Sequence, residues 1–262
     1  MTNPYFEFAR KAFAREATYR VEVATNIISL LLRVYLLRAL WTALYRQNAA
    51  PAGLPLHAII TYSTVALLMS LILEVDGTRQ IQIRIREGSI ATDLMKPISL
   101  PFFFFSDGFG QTVFHALMIV PALALALLFV HVDVPSPLTL MTFALAFVFG
   151  YLVNFLINFV MNAVAFWTLE IHAIQLSIRW ASDLLSGQII PLVLFPGVLG
   201  AIVRATPFAA IYSTPLQIYV GELPPSAWAG AIATQVAWLT VFAVLAVIVW
   251  RAAERRVVVQ GG

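Results

Sequence analysis

Six stretches of this chain are apolar over roughly the length that crosses a bilayer, about 20 residues. They fall at about 23–45, 57–75, 111–130, 138–168, from 173 to a break at Pro191, and 228–250. No soluble architecture repeats segments of this length, because each needs its whole circumference covered by protein or by lipid. Composition agrees. Of 262 residues, 61% are hydrophobic and only 11% are Asp, Glu, Lys or Arg, against about 25% charged in an average soluble domain. A globule of this size cannot hide so much apolar surface from water. An ordinary soluble enzyme is therefore excluded, and one integral membrane domain over residues 1–262 is expected. The absence of cysteine excludes disulfides, thiolate metal sites and cysteine nucleophiles. The net charge of +3 is carried by basic residues too few and too scattered to suggest nucleic acid.

The expected fold is an all-α membrane protein with six transmembrane helices. Residues 1–22 lack the apolar core of a cleavable signal peptide. Tyr5, Phe8, Ala12 and Tyr19 fall on one side of a helical wheel with Phe13 nearby, and Arg10, Lys11 and Arg15 lie largely opposite. This predicts an amphipathic helix on the membrane surface, cations toward headgroups. Trp41 and Tyr45 close the first span as an aromatic belt. The stretch 187–215 is apolar but interrupted by Pro191, Pro196, Pro207 and Pro215 and by Gly187, Gly197 and Gly200. So many breakers predict not a seventh span but two short helices dipping into the outer face. Arg10, Lys11, Arg15 and Arg20 precede the first span. Arg79, Arg84, Arg86 and Lys96 lie between the second and third, and Arg251, Arg255 and Arg256 follow the last. Only Arg46 and Arg204 lie in loops on the other side. The positive-inside rule then puts both termini in the cytoplasm, as an even span count requires.

No catalytic constellation is present. His57, His115, His131 and His172 are scattered and set no metal-ligand spacing. Gly108-Phe109-Gly110 is a lone G-x-G, read as a turn. No phosphate-binding G-x-x-x-x-G-K-[ST] occurs, so any ATP that drives this chain is hydrolysed by another. The connection 76–97 is longer than a turn needs. Gly88 breaks it, Ser89 is a good N-cap, Ile90–Lys96 make two turns, and Pro97 ends them. Ile90 and Leu94, with Met95 beside them, share an apolar face. This predicts a short amphipathic helix parallel to the membrane on the cytoplasmic side, either a surface helix or a docking knob for a partner. Glu74 and Asp76 are expected to be solvated at its approach.

The run Arg86-Glu87-Gly88-Ser89-Ile90-Ala91-Thr92-Asp93-Leu94-Met95-Lys96-Pro97 resembles a segment of ABC-2 type permeases of ABC transporters. Gly187-Gln188-Ile189-Ile190-Pro191-Leu192 with Phe195-Pro196, then Thr206-Pro207-Phe208 with Pro215, are similar to their outer stretch. The close of the chain, Arg255-Arg256-Val257-Val258-Val259-Gln260-Gly261-Gly262, is similar to theirs. The resemblance covers nearly the whole chain. It implies a six-span permease in a bacterial inner membrane, export as the usual direction, a second permease (identical or homologous), and two ATPase subunits that hold the ATP and Mg. It further implies a coupling helix seated in the ATPase, with Arg86, Glu87, Gly88, Ser89, Ile90, Leu94, Lys96 and Pro97 in the coupling segment, and an outer hairpin over 187–215. No cofactor or metal is expected on this chain itself.

Polar groups within the spans are the second place to look. Asn154, Asn158 and Asn162 recur every four residues, with Gly150 one step earlier, and make one stripe. Asparagine is costly against lipid. The stripe therefore serves either interhelical hydrogen bonding, with close packing at Gly150, or the lining of a substrate path. Arg33 lies deep in the first span, where an unpaired arginine costs at least ~2.5 kcal/mol. Asp183 is a candidate partner, for which Arg179 competes from the same helix. Arg38 lies nearer the outer face and snorkels there. The function expected is export of an amphipathic or hydrophobic molecule. The alternative, an ion-gradient-driven transporter or channel, calls for acidic residues in mid-span and finds only Asp183. A lipid-modifying membrane enzyme calls for a clustered His, Asp or Ser set that is absent.

Overall fold

The computed structural model describes residues 3–18, 20–47, 54–75, 77–168 and 171–260. Among them there are only helices and connections. The long helices are α2 (Arg20–Gln47), α3 (Leu56–Leu73), α6 (Leu100–Ala126), α7 (Pro137–Ala163, continued by a 3-10 turn at Val164–Phe166) and α11 (Pro225–Gln260). Shorter ones are α1 (Pro4–Glu16), α4 (Arg79–Arg86), α5 (Ile90–Leu94), α8 (His172–Leu185), α9 (Gly197–Arg204) and α10 (Ser213–Tyr219). Among the described residues five helices are long and apolar enough to cross a membrane. They correspond to the first, second, third, fourth and sixth predicted spans. The predicted fifth is replaced by α8, whose 14 residues reach about 21 Å, short of a ~30 Å hydrocarbon core.

At the centre stands α3. It is apolar all round, with small polar residues interleaved, and nearly all of it is buried. Its Ser63 accepts a 2.9 Å hydrogen bond from Trp41 Nε1. Trp41 is therefore a buried clamp between α2 and α3 rather than part of an aromatic belt. Tyr45 donates to the carbonyl of Leu54 at 2.8 Å and so links the end of α2 to the residues just before α3. Arg38 does more than snorkel: it donates to the carbonyl of Phe129, just past the end of α6.

Two helices depart from expectation through glycine. Gly108-Phe109-Gly110 is no turn but lies inside α6. A Cβ on Gly77 would stand 2.2 Å from Gly108 Cα, and one on Gly110 would stand 2.0 Å from Ala9 O. The two glycines are notches on α6, one for the turn before α4 and one for α1. The apolar face of α1 is accordingly docked on protein. Phe8 meets Phe103 and Phe13 meets Phe114, both edge-to-face, with centroids 4.8 and 5.5 Å apart. Arg10 and Lys11 stay exposed, but Arg15 turns inward to Asp107 at 2.9 Å. Tyr19 and Asp76, used in the sequence reading, lie outside the described residues, as do Gly261 and Gly262.

The bundle has two distinct ends. One gathers α1, α4, α5 and the last turns of α7 and α11, packed around Ile81, Phe104, Phe166 and Trp250. The other gathers His57, Asp133 and Tyr219, where Thr61 Oγ1 both accepts from the Asp133 amide and donates to its carboxylate. Residues 171–221 join these ends in pieces. At the first end Gln175 donates to Asn162 and Gln82, at 2.8 and 3.3 Å. Half-way along, the Tyr62 hydroxyl donates to Gly187 O at 2.8 Å, and Gly150 sits against the backbone of Ala210 and Ile211. At the far end Tyr219 packs on Phe143. The breaker-rich stretch thus holds short helices, as expected, with Gly187 and Gly197 at positive φ.

Candidate functional site

The α4–α5 module forms a braced corner. Gly88 has φ +72°, open to glycine and strained for other residues. It lets the chain turn back after α4, so that Ile90 and Leu94 pack against Ile81 and Phe104. Met95 does not share their face. It is 86% exposed, with Ala91, Thr92 and Lys96 also exposed around it. Ser89 does not cap α5, and its hydroxyl points back to the Arg84 carbonyl at 3.4 Å. The helix is also shorter than expected and stops at Leu94.

The brace is a residue the sequence reading did not single out. Asp93 is buried and receives Lys96 Nζ at 2.6 Å and the Arg84 guanidinium. Arg84 in turn lies over the Phe103 ring, 5.0 Å from its centroid. Burial pushes the Asp93 carboxyl up, but the bonds from Lys96 and Arg84 outweigh it and hold it below the usual carboxylate range. The i,i+3 spacing of Asp93 and Lys96 was visible in the sequence; the tie to Arg84 was not. Arg86, Glu87 and Pro97 are exposed at the rim of the corner.

Beside this corner a cavity of about 700 Å³ opens between α1, α2, α3, α7 and α8 and reaches residues 208–212. Its charged lining comprises Arg15, Glu16, Glu22, Arg33, Glu74, Arg79, Arg179 and Asp183, and Tyr212 lines it too. Glu74 is not simply solvated. It pairs with Arg179 at 3.7 Å and accepts from Gln188 at 3.3 Å. Arg33 and Asp183 line the same cavity within electrostatic reach of each other, without a contact inside 4.0 Å. The asparagine stripe divides. Asn154 and Asn158 line the cavity, donating to Leu73 O at 2.7 Å and to Asn154 O at 3.0 Å. Asn162 is buried and donates to Thr78 Oγ1 at 2.9 Å. Gly150 makes the predicted close contact, with residues 210–211 as its partner. Among the described residues no group of His, Asp or Glu is arranged to hold a metal ion.

Long apolar helices around a polar, charge-lined cavity, with a braced helical corner at one end, define a multi-pass membrane protein of the transporter type. Residues 26–261 match the family model described as ABC-2 family transporter protein, and the chain belongs to that family. Its members are membrane components of ABC transporters that carry no ATPase domain of their own and associate with ABC ATPase subunits. No curated protein and no solved structure matches the chain.

Proposed function

We propose that this chain is the permease subunit of an ABC exporter in a bacterial inner membrane, moving an amphipathic molecule outward. Two partner ATPases supply ATP and Mg, and a second permease, identical or homologous, completes the transmembrane unit. The observation that carries this reading is the α4–α5 corner, whose root is buried and bonded while its tip, around Met95, is bare. A helix so anchored transmits force, and a bare apolar tip seeks a partner. Basic residues crowd the same end, with Arg79, Arg84, Arg86, Lys96 and Arg251 all there, which favours the cytoplasm for that face and for both termini. In this reading the bilayer is crossed six times. The fifth crossing is made by α8, and the short helices within residues 187–215 form the outer hairpin.

The test is co-purification followed by coupling. An ABC ATPase is expected to come down with the chain in mild detergent. Gly88→Pro forces a φ near −65° on a position at +72°, and Leu94→Asp puts a charge into the packed root. Both variants are expected to insert normally yet lose transport linked to ATP hydrolysis. Unchanged transport in both, or no ATPase with the wild-type chain, counts against the proposal.

A further inference from the structure

Arg33 and Asp183 line the cavity without a partner among the described residues, as do Glu22 and Arg79. Arg179 is engaged by Glu74, and Arg15 by Asp107. Neither Arg33 nor Asp183 takes part in a hydrogen bond or an ion pair within 4.0 Å, although the two are close enough to feel each other's charge. Tyr212 lines the same cavity, is buried, and its hydroxyl has no hydrogen-bond partner. Leu30, Ile157, Met161 and Phe208 supply apolar wall on the same surface. The Tyr212 hydroxyl is buried and unpaired, Arg33 is exposed and Asp183 half-buried on the same cavity, and unpaired charges within an apolar span are costly, so the site suits something that pairs with them.

We propose that the cavity takes a zwitterionic amphiphile, its anionic group on Arg33, its cationic group on Asp183, and a polar atom on the Tyr212 hydroxyl. A purely anionic ligand leaves Asp183 unpaired and adds its own repulsion to it. A purely cationic ligand does the same at Arg33. Only a ligand bearing both signs answers both groups and enters without a net charge, while its alkyl portion covers the apolar wall. The volume of about 700 Å³ suits one such molecule, inside the ~300–1,000 Å³ range of small-molecule sites. This inference rests on the permease reading and names the substrate class of that site.

The test uses the full chain, without ATPase, released from uncharged maltoside micelles into a native mass spectrometer. The probes are dodecylphosphocholine, dodecyl sulfate and dodecyltrimethylammonium, which share one tail. Dodecylphosphocholine is expected to bind at least about tenfold tighter than either singly charged probe, the factor that ~1.4 kcal/mol represents. Arg33→Gln is expected to remove that advantage over the cation, and Asp183→Asn the advantage over the anion. Glycerophosphocholine, with the same charges and no tail, is expected to bind at least about tenfold more weakly. Equal affinity for the three tailed probes overturns the proposal, whether or not the variants fold. So does Arg33→Gln weakening the cation as much as the zwitterion. Equal binding of the tailless probe overturns the amphiphile and leaves a soluble zwitterion. Because no ATPase takes part, failure here leaves ATPase docking untouched, and failure to capture an ATPase leaves this binding result standing.

Discussion

Replacing Gly110 with alanine tells a surface-bound α1 from a docked one by the sign of the effect. Inside a helix, Gly→Ala gains about 0.8–1 kcal/mol of helix propensity. If α1 merely floated in the interface, that gain would be all that remained, and the variant would be the more stable protein. In the structure the new Cβ would stand 2.0 Å from Ala9 O, 2.7 Å from its carbonyl carbon and 2.8 Å from its Cα. These are backbone atoms, with no flexible side chain to turn aside. To restore even the 3.0 Å that real Cβ contacts respect, α1 must retreat by about 1 Å, and overpacking of this kind costs about 1–3 kcal/mol. The retreat also stretches the 2.9 Å Arg15–Asp107 pair, whose carboxylate is buried, and parts Tyr5 Oη from the Ser99 amide it accepts at 3.0 Å. With about 1 kcal/mol more for the stretched pair and hydrogen bond, the propensity gain is offset and the expected net result is a loss of about 1–3 kcal/mol. Thermal unfolding in micelles reads the stability, and amide hydrogen exchange across Pro4–Glu16 reads the docking. Gly230→Ala is the control, because a Cβ there meets nothing within 4 Å, and it is expected to be neutral or stabilising. A Gly110→Ala protein that melts at or above wild type with unchanged exchange in α1 would refute the docked helix.

Asp93→Asn is expected to cost about 2 kcal/mol, between the ~0–1 of exposed ion pairs and the ~3–5 of a broken buried one, because Lys96 is largely exposed while Asp93 is not. With its folded carboxyl held below the usual value, the contribution of Asp93 is full above the unfolded pKa of about 3.9 and fades as pH falls through the lower folded value. The melting gap between wild type and Asp93→Asn should therefore be flat at neutral pH and close only below about pH 4. Tyr62→Phe leaves the Gly187 carbonyl without its 2.8 Å donor and is expected to destabilise by about 1–3 kcal/mol, with faster exchange in the backbone around residue 187. Gln235→Leu, which removes 2.8 Å bonds from Nε2 to both Ala146 O and Ala210 O, is expected to loosen α11 from α7 by a similar amount, read by thermal unfolding.

Wherever the driving term is local, the sequence announces the structure. Apolar length marks the five long helices, proline and glycine density marks the irregular 187–215, and Gly88 marks the turn before α5. Tertiary terms account for the misses. No helix was expected before Gly88, yet Arg79–Arg86 is helical, with Ile81 buried in the cluster around Phe104. Gly108 and Gly110 look like a turn until Gly77 and Ala9 arrive from distant parts of the chain. Trp41 looks like a belt residue until Ser63 offers a buried acceptor. The depth of Arg33 and Asp183 was readable from position, but the missing contact between them was not, because Glu74 takes Arg179 from across the cavity. Tyr212 left no local signal at all. Its hydroxyl matters only because α8 and the turn before α10 fold around it.

The braced corner and the cavity are joined by polar contacts on one short helix. Arg84 of α4 holds Asp93 of α5, and two residues back Gln82 accepts from Gln175 of α8 at 3.3 Å. Gln175 also donates to Asn162 at 2.8 Å, and Asn162 reaches Asn158 O at 2.9 Å, the residue below Asn154 on the cavity wall. The same α8 carries Arg179 and Asp183 one and two turns further on. A displacement of α5 therefore cannot be absorbed by a flexible loop. It reaches α4 through a part-buried ion pair, and α4 is hydrogen-bonded to the helix that bears Asp183. α8 is shorter than the long helices and ends at Leu185, two residues before the positive-φ Gly187, the kind of element terminus that can act as a hinge. On the proposed reading, the shortness that made the fifth apolar stretch a poor span lets it change the spacing between Asp183 and Arg33, and with it the grip on a two-signed ligand.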